Sequence, residues 1–283
     1  MGSTADILKR HGLSPKKSWG QNFLTDEPAL ARIVQSCHLN DSDQVIVEVG
    51  AGLGALTAKL SAPGRRVLAI ERDRDLIPVL NERFSDVDTV DIIEANALTY
   101  DLGACAKKYD MPVKVVGNLP YHISAPLLFH FLESRKHLKS VHILLQKEVA
   151  IRLAAKPCTK DYSLMTVLFS RVAEIQQETI IKRTCFLPAP KVDSAFISIF
   201  FDAPPKNLPD VPDDFFIKFM KACFHQRRKT LANSLARQQF MPIAKDIILS
   251  MKAEYPEEFS ARPEELSVTT FVKLARTLIN KVS

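Results

Sequence analysis

The stretch Val45-Ile-Val-Glu-Val-Gly-Ala-Gly-Leu-Gly-Ala-Leu-Thr57 constrains this chain more than any other. A β-branched run ends in glycines at alternate positions, Gly50, Gly52 and Gly54, and an Ala/Leu/Lys-rich helical pattern continues through Leu60. A strand that enters a glycine turn and leaves as a helix lets backbone N–H groups approach a ligand closely. The same unit opens a doubly wound sheet. Glycine turns without a ligand are common, so the turn alone settles nothing. Its position adds weight: the glycines stand where a strand pattern stops, and an acid, Glu71, stands where the next strand ends.

The rest of the chain extends this pattern. Residues 1–25 read as a short basic helix and an irregular arm, Ser18-Trp-Gly-Gln-Asn-Phe-Leu-Thr-Asp26. Thr25 or Asp26 is placed to cap a helix that starts near Pro28 and ends near Cys37. Strands are expected at 45–49, 67–71, 90–93, 113–116 and 141–145, with helices at 54–61, 75–84, from Ser124, and at 148–155. Two late strands, 167–175 and 195–201, are expected to pair antiparallel. Strands alternating with helices argue for an α/β, Rossmann-like sheet. The stretch 203–212 is dense in proline and reads as a linker. Beyond it no strand pattern appears, and helices near 213–239, 242–254 and 267–281 form a small all-helical C-terminal domain. The expected division is therefore 1–202, a linker at 203–212, and 213–283.

No apolar run approaches the roughly 20 residues of a spanning helix, and the N-terminal stretch holds no signal-peptide core. Five scattered cysteines without a Cys-x-x-Cys pair fit reduced thiols in a cytoplasmic protein, neither a disulfide frame nor a metal site. The net charge of +6 is uneven: residues 1–20 carry +3, residues 203–283 carry +4, and the middle carries −1. Positive charge flanking a central site suits a polyanionic partner such as RNA.

Glu71 lies 21 residues past Gly50, the place from which an acid accepts both ribose hydroxyls of a nucleoside cofactor. A dinucleotide and S-adenosylmethionine both fit that role. The spacing Gly-x-Gly-x-Gly, which departs from the dinucleotide fingerprint, favours the second. Asn118-Leu119-Pro120-Tyr121 follows the strand at 113–116, at the carboxyl edge where open sheets bind ligands. These residues suit an exocyclic aromatic amine, whose lone pair is delocalised into its ring. The side-chain oxygen of Asn118 and the carbonyl of Leu119 offer two acceptors for its two hydrogens, which pulls the nitrogen toward a tetrahedral shape. Pro120 restrains Leu119 to extended geometry. Tyr121 offers a face for a base to stack on, a contact typically worth about 1–3 kcal/mol.

Several stretches taken together resemble the KsgA-type ribosomal RNA adenine N6-dimethyltransferases over nearly the whole chain. They are Gly20-Gln-Asn-Phe-Leu24, the glycine turn, Glu71, Gly117-Asn-Leu-Pro-Tyr-His-Ile-Ser-Ala-Pro-Leu127, Leu145-Gln-Lys-Glu-Val149, Phe186-Leu-Pro-Ala-Pro-Lys-Val-Asp-Ser-Ala195 and Phe224-His-Gln-Arg-Arg-Lys-Thr-Leu-Ala-Asn-Ser-Leu235. The resemblance implies a Rossmann-like fold with a helical C-terminal domain. It also implies S-adenosylmethionine as cofactor, S-adenosylhomocysteine as product, no metal, and dimethylation of two adjacent adenosines in a 3′-terminal hairpin loop of 16S rRNA. The partner it implies is the small-subunit rRNA or pre-30S particle, met by a monomer. Position by position, it implies that Asn22 and Leu24 close over the cofactor, Gly50 and Gly52 hold its methionine end, Glu71 its ribose, and Asn96 its adenine. Asn118 would touch both cofactor and target base, and Phe186 would stack on the base opposite Tyr121. Read without the family, Phe186 is an ordinary core aromatic. Asn96 stands where the family carries Asp, Gly50-Ala51-Gly52 where it carries Gly-Pro-Gly, and Trp19 and His122 where it prefers Phe and Asn.

From Phe215 to Gln239 there are six Lys/Arg and no acid. On one continuous helix Lys218, Lys221, His225, Arg228 and Lys229 share a face opposite Phe219, Met220 and Cys223, which suits RNA phosphate contact. Arg227 falls on the apolar side, so either it is structural or the helix breaks there. Three rivals remain open at this point. They are a large-subunit rRNA methylase of the antibiotic-resistance type, a DNA adenine methylase, and a non-catalytic assembly or organellar transcription factor that keeps the fold.

Overall fold

The computed structural model describes residues 3–118, 120–226 and 228–282. Nine strands are described: β1 (Phe23–Leu24), β2 (Val45–Val49), β3 (Arg66–Glu71), β4 (Val90–Glu94), β5 (Val113–Asn118), β6 (Leu138–Gln146), β7 (Glu174–Ile181), β8 (Phe186–Leu187) and β9 (Ser194–Phe200). The helices in the first part of the chain are α1 (Thr4–Arg10), α2 (Glu27–Gln35), α3 (Ala55–Leu60), α4 (Ile77–Arg83), α5 (Leu102–Tyr109), α6 (Ser124–Ser134) and α7 (Lys147–Leu153). Then follow α8 (Leu164–Ser170), α9 (Asp213–Phe224), α10 (Leu231–Ala236), α11 (Lys245–Glu254), α12 (Pro256–Ser260) and α13 (Val268–Val282). Among the described residues no helix is long and apolar enough to cross a membrane.

Seven strands form one sheet in the order β4-β3-β2-β5-β6-β9-β7. The pairs β4/β3, β3/β2, β2/β5 and β5/β6 are parallel, and β9 runs antiparallel to β6. The near-continuous apolar runs of β2, β3 and β5 are what a strand covered on both faces requires. Ile46, Val47, Val67, Ala69, Val115 and Val116 are accordingly buried completely. One face is covered by α2 and α3, whose Leu30, Ile33 and Leu60 pack with Ile46 and Val116. Each such side chain removed from water contributes about 1.5–3 kcal/mol. Asp26 caps α2, its carboxylate accepting from the Ala29 N–H at 2.8 Å. β2 pairs with β3 on one side and β5 on the other, so the chain reverses direction of travel between them and opens a crevice at their carboxyl ends.

The opposite end of the sheet is fastened by buried polar groups. Lys114 Nζ donates to the carbonyls of Cys37 and His38 at 3.0 and 2.8 Å, and to Asp43 Oδ2 at 2.8 Å. Asp43 Oδ1 takes Lys139 Nζ at 2.7 Å. His142, fully buried, lies 2.8 Å from both Ser140 Oγ and Ser198 Oγ. Burial, joined by the charge of Lys114, pushes its imidazole down to about 3.

The chain divides into two compact units. One runs to Ala150 and resumes over Gln176–Asp202; the other joins Ile151–Ile175 to Ala203–Ser283. The expectation of an uninterrupted first unit over 1–202 is thereby corrected. The cause is local: Val167, Leu168 and Phe169 form helix α8, where a strand over 167–175 was expected, and the strand β7 begins only at Glu174. Period cannot separate a short buried strand from a short buried helix. The start is set by Ser163, whose N–H bonds Thr166 Oγ1 at 3.1 Å in a reciprocal capping box. α8 packs with α9: Arg171 pairs with Asp213 at 3.1 Å, and the Tyr162 and Phe224 rings lie 6.3 Å apart. Residues 203–212 are likewise no free linker, because Val211 is 1% exposed and its carbonyl accepts from Arg171.

The expected helix over 213–239 is two helices. α9 ends at Phe224, and α10 begins after Thr230, which caps it. Arg227, at the predicted break, lies outside the described residues. Lys218, Lys221, His225, Arg228 and Lys229 are all exposed, while Phe219, Met220 and Cys223 are fully buried. The single helical face drawn through the five cations is corrected: Arg228 and Lys229 stand in the turn between α9 and α10. Helix α5, unforeseen in the sequence, is capped by Asp101, whose Oδ1 accepts from the Ala104 N–H at 2.8 Å.

Candidate active site

A cavity of about 340 Å³ opens at the carboxyl ends of β2, β3 and β5. Its wall is built from four loops after strands and from the arm, which contributes Ser18 through Leu24. The turn after β2 holds its shape because Gly50, Gly52 and Gly54 all have positive φ, at +75°, +59° and +76°. At Gly52 an added Cβ would also be tight, standing 3.3 Å from the Phe23 ring of the arm, which would have to give way slightly. At Gly54 it would stand 2.5 Å from Phe84 Cε2.

Glu71 ends β3 and is 8% exposed. Its Oε2 accepts from the Gly52 N–H, and its Oε1 from the N–H groups of Arg72 and Asp73, all at 2.8 Å. Burial pushes its pKa up, and these three N–H bonds oppose that without reversing it. A carboxylate has about four acceptor positions, so with three taken one remains for a hydroxyl of a bound ligand. Asn96 also lines the cavity; its Oδ1 accepts from the Leu98 N–H at 3.1 Å, which shapes the loop after β4. Leu24, 5% exposed, lines the cavity and joins the core.

Asn118 closes β5. Its Nδ2 donates to the carbonyl of Asn22 at 3.1 Å, while the Asn22 side chain donates to the Gly20 carbonyl at 2.9 Å. A carbonyl oxygen only accepts, so the Asn118 terminal atom facing it is the amide nitrogen, and Oδ1 remains as its acceptor toward the cavity. Leu119, the second acceptor expected from sequence, lies outside the described residues. Pro120, at φ −58° and ψ 127°, and Tyr121 continue the wall. The Tyr121 hydroxyl is 2.7 Å from the fully buried Ser194 Oγ, which anchors the ring by its far end. Burial raises the phenol's pKa, with the Ser194 bond opposing.

Not every expected residue reaches the cavity. Phe186 is 4% exposed, packs in the core with Leu24, Ile33 and Phe196, and is not on the wall. Its backbone meets Leu24 across the β1/β8 pair. Lys218, Lys221, Arg228 and Lys229 belong to the second unit.

Glu48 was missed in the sequence. It is 1% exposed in the middle of an apolar strand, lines the cavity, and its Oε2 has no hydrogen-bond partner among the described residues. Burial pushes its carboxyl up to about 8, against a bond from Thr57 and with the help of nearby Glu71. The available signal was the lone acid inside Val45-Ile-Val-Glu-Val49.

The family model described as Ribosomal RNA adenine dimethylase matches residues 12–257. The chain is 41% identical to Ribosomal RNA small subunit methyltransferase A of Myxococcus xanthus over 98% of its own length and 96% of the relative's. It is 40% identical to the protein of that name from Enterococcus faecalis, over 97% and 94%. Among solved structures it is similar to a dimethyladenosine transferase from Plasmodium falciparum, with TM-score 0.76 and 23% identity over 92% and 98% of the two chains. It is also similar to the 23S rRNA methyltransferase ErmE, with TM-score 0.68 and 25% identity over 91% and 100%. The extent of the family match and the identity to the small-subunit methyltransferases lead to one conclusion: the chain is a methyltransferase that belongs to the ribosomal RNA adenine dimethylase family.

Proposed function

We propose that the protein dimethylates N6 of two adjacent adenosines in the 3′-terminal hairpin loop of 16S rRNA, using S-adenosylmethionine. It would act as a cytoplasmic monomer on the small-subunit rRNA or pre-30S particle. The observation that carries the reading is the Asn118 amide at the end of β5, turned by Asn22 so that its oxygen is the acceptor.

The cavity residues fit the cofactor. Glu48 has a buried carboxylate oxygen without a partner among the described residues, which suits the ammonium of the methionine portion. Gly50 and Gly52 keep that end free of side chains, and Glu71 retains acceptor capacity for the ribose. Asn96 offers an amide but no charge toward the adenine. When bound, S-adenosylmethionine supplies a methyl group on a cationic sulfur, already activated for displacement.

The chain's own part is positioning. Asn118 Oδ1 accepts an N6 hydrogen and draws the nitrogen's lone pair out of conjugation. Tyr121, anchored by Ser194, presents a stacking plane to a base splayed out of its helix. The arm residues Asn22 and Leu24 exclude water. No side chain need act as base before transfer, because the amine sheds its proton once the C–N bond has formed. Phe186 supports this wall from behind as a core residue; a stacking role for it would need another side-chain position.

Incubation with labelled S-adenosylmethionine and undermethylated 30S particles, followed by mapping of the modified base, tests the proposal. Dimethylation at adjacent adenosines of the small-subunit RNA is expected. Methylation of 23S RNA offered in a parallel reaction, with none of the 30S particle, would transfer the protein to the large-subunit methylases. No transfer by the wild type, or full transfer by Asn118→Ala, would defeat the reading.

A further inference from the structure

The arm that walls the cavity is tied to the sheet at one acid. Asp73, 1% exposed, follows Glu71 by two residues. Its Oδ1 takes Lys16 Nζ at 2.5 Å, and its Oδ2 takes Gln21 Nε2 at 2.6 Å. Lys16 also pairs with Asp75 at 2.6 Å, and its backbone N–H donates to Gln21 Oε1 at 2.8 Å. The segment 16–21 is thus a closed loop clasped from both ends by a single buried carboxylate. Burial works to raise that carboxyl's pKa, but the bonds from Lys16 and Gln21 outweigh it and hold it low. Trp19, inside the loop, is gripped by Lys16 and Arg72, whose cationic groups lie 5.1 and 5.2 Å from its ring centroid.

The next residue after Gln21 is Asn22, whose carbonyl orients the Asn118 amide. We propose that Asp73 is a positioning residue for methyl transfer. By clasping Lys16 and Gln21 it sets the height of the Asn22 carbonyl, and through it the direction of Asn118 Oδ1. This rests on the reading of Asn118 as the group that holds the target amine. Asp73 itself is not part of the cavity wall, so its influence passes wholly through the arm. Its own N–H bonds Glu71 Oε1, which links the clasp to the group that receives the ribose.

Trp19 is the chain's single tryptophan, so its fluorescence reports the arm alone. The full-length protein is compared as wild type, Asp73→Ala, Asp73→Asn and the double variant Lys16→Met/Gln21→Ala. Acrylamide quenching of Trp19 and methyl transfer to undermethylated 30S particles at saturating S-adenosylmethionine are measured for each. The clasp predicts stronger quenching and kcat lowered at least about 10-fold in Asp73→Ala and in the double variant, as a misplaced group demands. Asp73→Asn, which keeps an acceptor for Gln21, should fall between. Should Asp73→Ala fail to fold, the double variant, which alters only the arm, decides alone. Unchanged quenching or unchanged kcat in a folded variant would overturn the proposal. Asn118→Ala, run in parallel, separates the two readings. If it is inactive while Asp73→Ala matches wild type, only the clasp falls; if it is fully active, the role of Asn118 falls first.

Discussion

Asn118 and Asn22 meet across 96 positions of sequence, the amide nitrogen of one on the carbonyl oxygen of the other at 3.1 Å. The bond makes a flexible amide into an oriented acceptor, because its donor end is already committed. Asn118→Asp is nearly isosteric but has no donor for the Asn22 carbonyl, and at neutral pH it sets an anion against that oxygen. A fall in kcat of about 10²- to 10³-fold is expected, the scale seen when one preorganised polar group is lost. Single-turnover methylation with saturating cofactor measures it. The melting temperature should move little, since Asn118 is only half-buried.

On the proposed reading, Glu48 should make cofactor binding depend on pH. Its folded pKa of about 8 lies above its ordinary 4.5, so at neutral pH the native protein holds a proton that the unfolded chain has lost. The group therefore favours folding most below pH 4.5, and that stability is lost as pH rises through 8. Cofactor binding has the opposite slope, because an ammonium favours the ionised carboxylate. Affinity for S-adenosylhomocysteine should rise between pH 6 and 8 by up to about 10-fold per unit and then level off as the ligand's own amine loses its proton. Glu48→Gln should bind more weakly and with a flat profile. Calorimetric titration across this range, in two buffers of different ionisation enthalpy, gives both affinity and proton release.

Gly54→Ala tests the glycine turn by packing. An alanine there meets Phe84 Cε2 at 2.5 Å and must hold a left-handed φ of +76°. Backbone strain of about 1–2 kcal/mol and overpacking of about 1–3 kcal/mol act together. Chemical denaturation should show a loss of at least about 2 kcal/mol. In Gly54→Ala/Phe84→Leu part of the loss should return, because the ring edge is gone, while the backbone strain and the 3.0 Å approach to Leu80 Cδ2 remain.

His142 contributes to acid sensitivity from the far end of the sheet. Its folded pKa of about 3 lies below its ordinary 6.5, so between these values the unfolded chain binds a proton that the native protein refuses. Stability from this group is complete above pH 6.5 and is lost as pH falls toward 3, at up to about 1.4 kcal/mol per unit. Denaturation midpoints measured from pH 7 to 4.5 should fall less steeply for His142→Gln than for wild type. Equal slopes would assign the acid sensitivity to the carboxylates alone.

The parallel strands were readable because burial on both faces writes itself as unbroken apolar runs, as in Val45–Val49 and Val67–Ile70. Glu71 and Asn118 stood out as candidates because they stand just where such runs stop, whereas Asn96 was singled out only by the family resemblance. The failures share a cause. Val167-Leu168-Phe169 is as apolar as a strand, and only the Ser163–Thr166 cap makes it helical. The true strand β7, at the sheet's end, reads Glu-Ile-Gln-Gln-Glu-Thr-Ile-Ile and lacks a buried face. Phe186, read from the residues alone as a core aromatic, is in the core, and it was the resemblance that gave it a stacking role on the wall. Glu48 was hidden inside an apolar run, and the Asp73 clasp joins residues 57 and 52 positions apart. Periodicity carries no information about such pairs.

The cations of the helical unit supply the final prediction. Lys218 and Lys221 stand on the exposed face of α9, over a stripe of buried Phe219, Met220 and Cys223, while Arg228 and Lys229 stand in the turn that follows. No acid interrupts the stretch from Phe215 to Gln239, so the charges along it are of one sign. If these groups meet RNA phosphates, each displaces condensed counterions, and the logarithm of affinity falls with the logarithm of salt by about 0.7–0.9 per contact. Lys218→Gln/Lys221→Gln should therefore lower the salt slope by about 1.5, and Arg228→Gln/Lys229→Gln by a similar amount. Both pairs should leave S-adenosylhomocysteine affinity unchanged, because none of the four side chains lines the cavity. Filter binding of the 30S particle between about 50 and 200 mM salt measures the slope. A pair that weakens binding equally at every salt concentration would be acting through the fold of α9 and its turn rather than through phosphate contact.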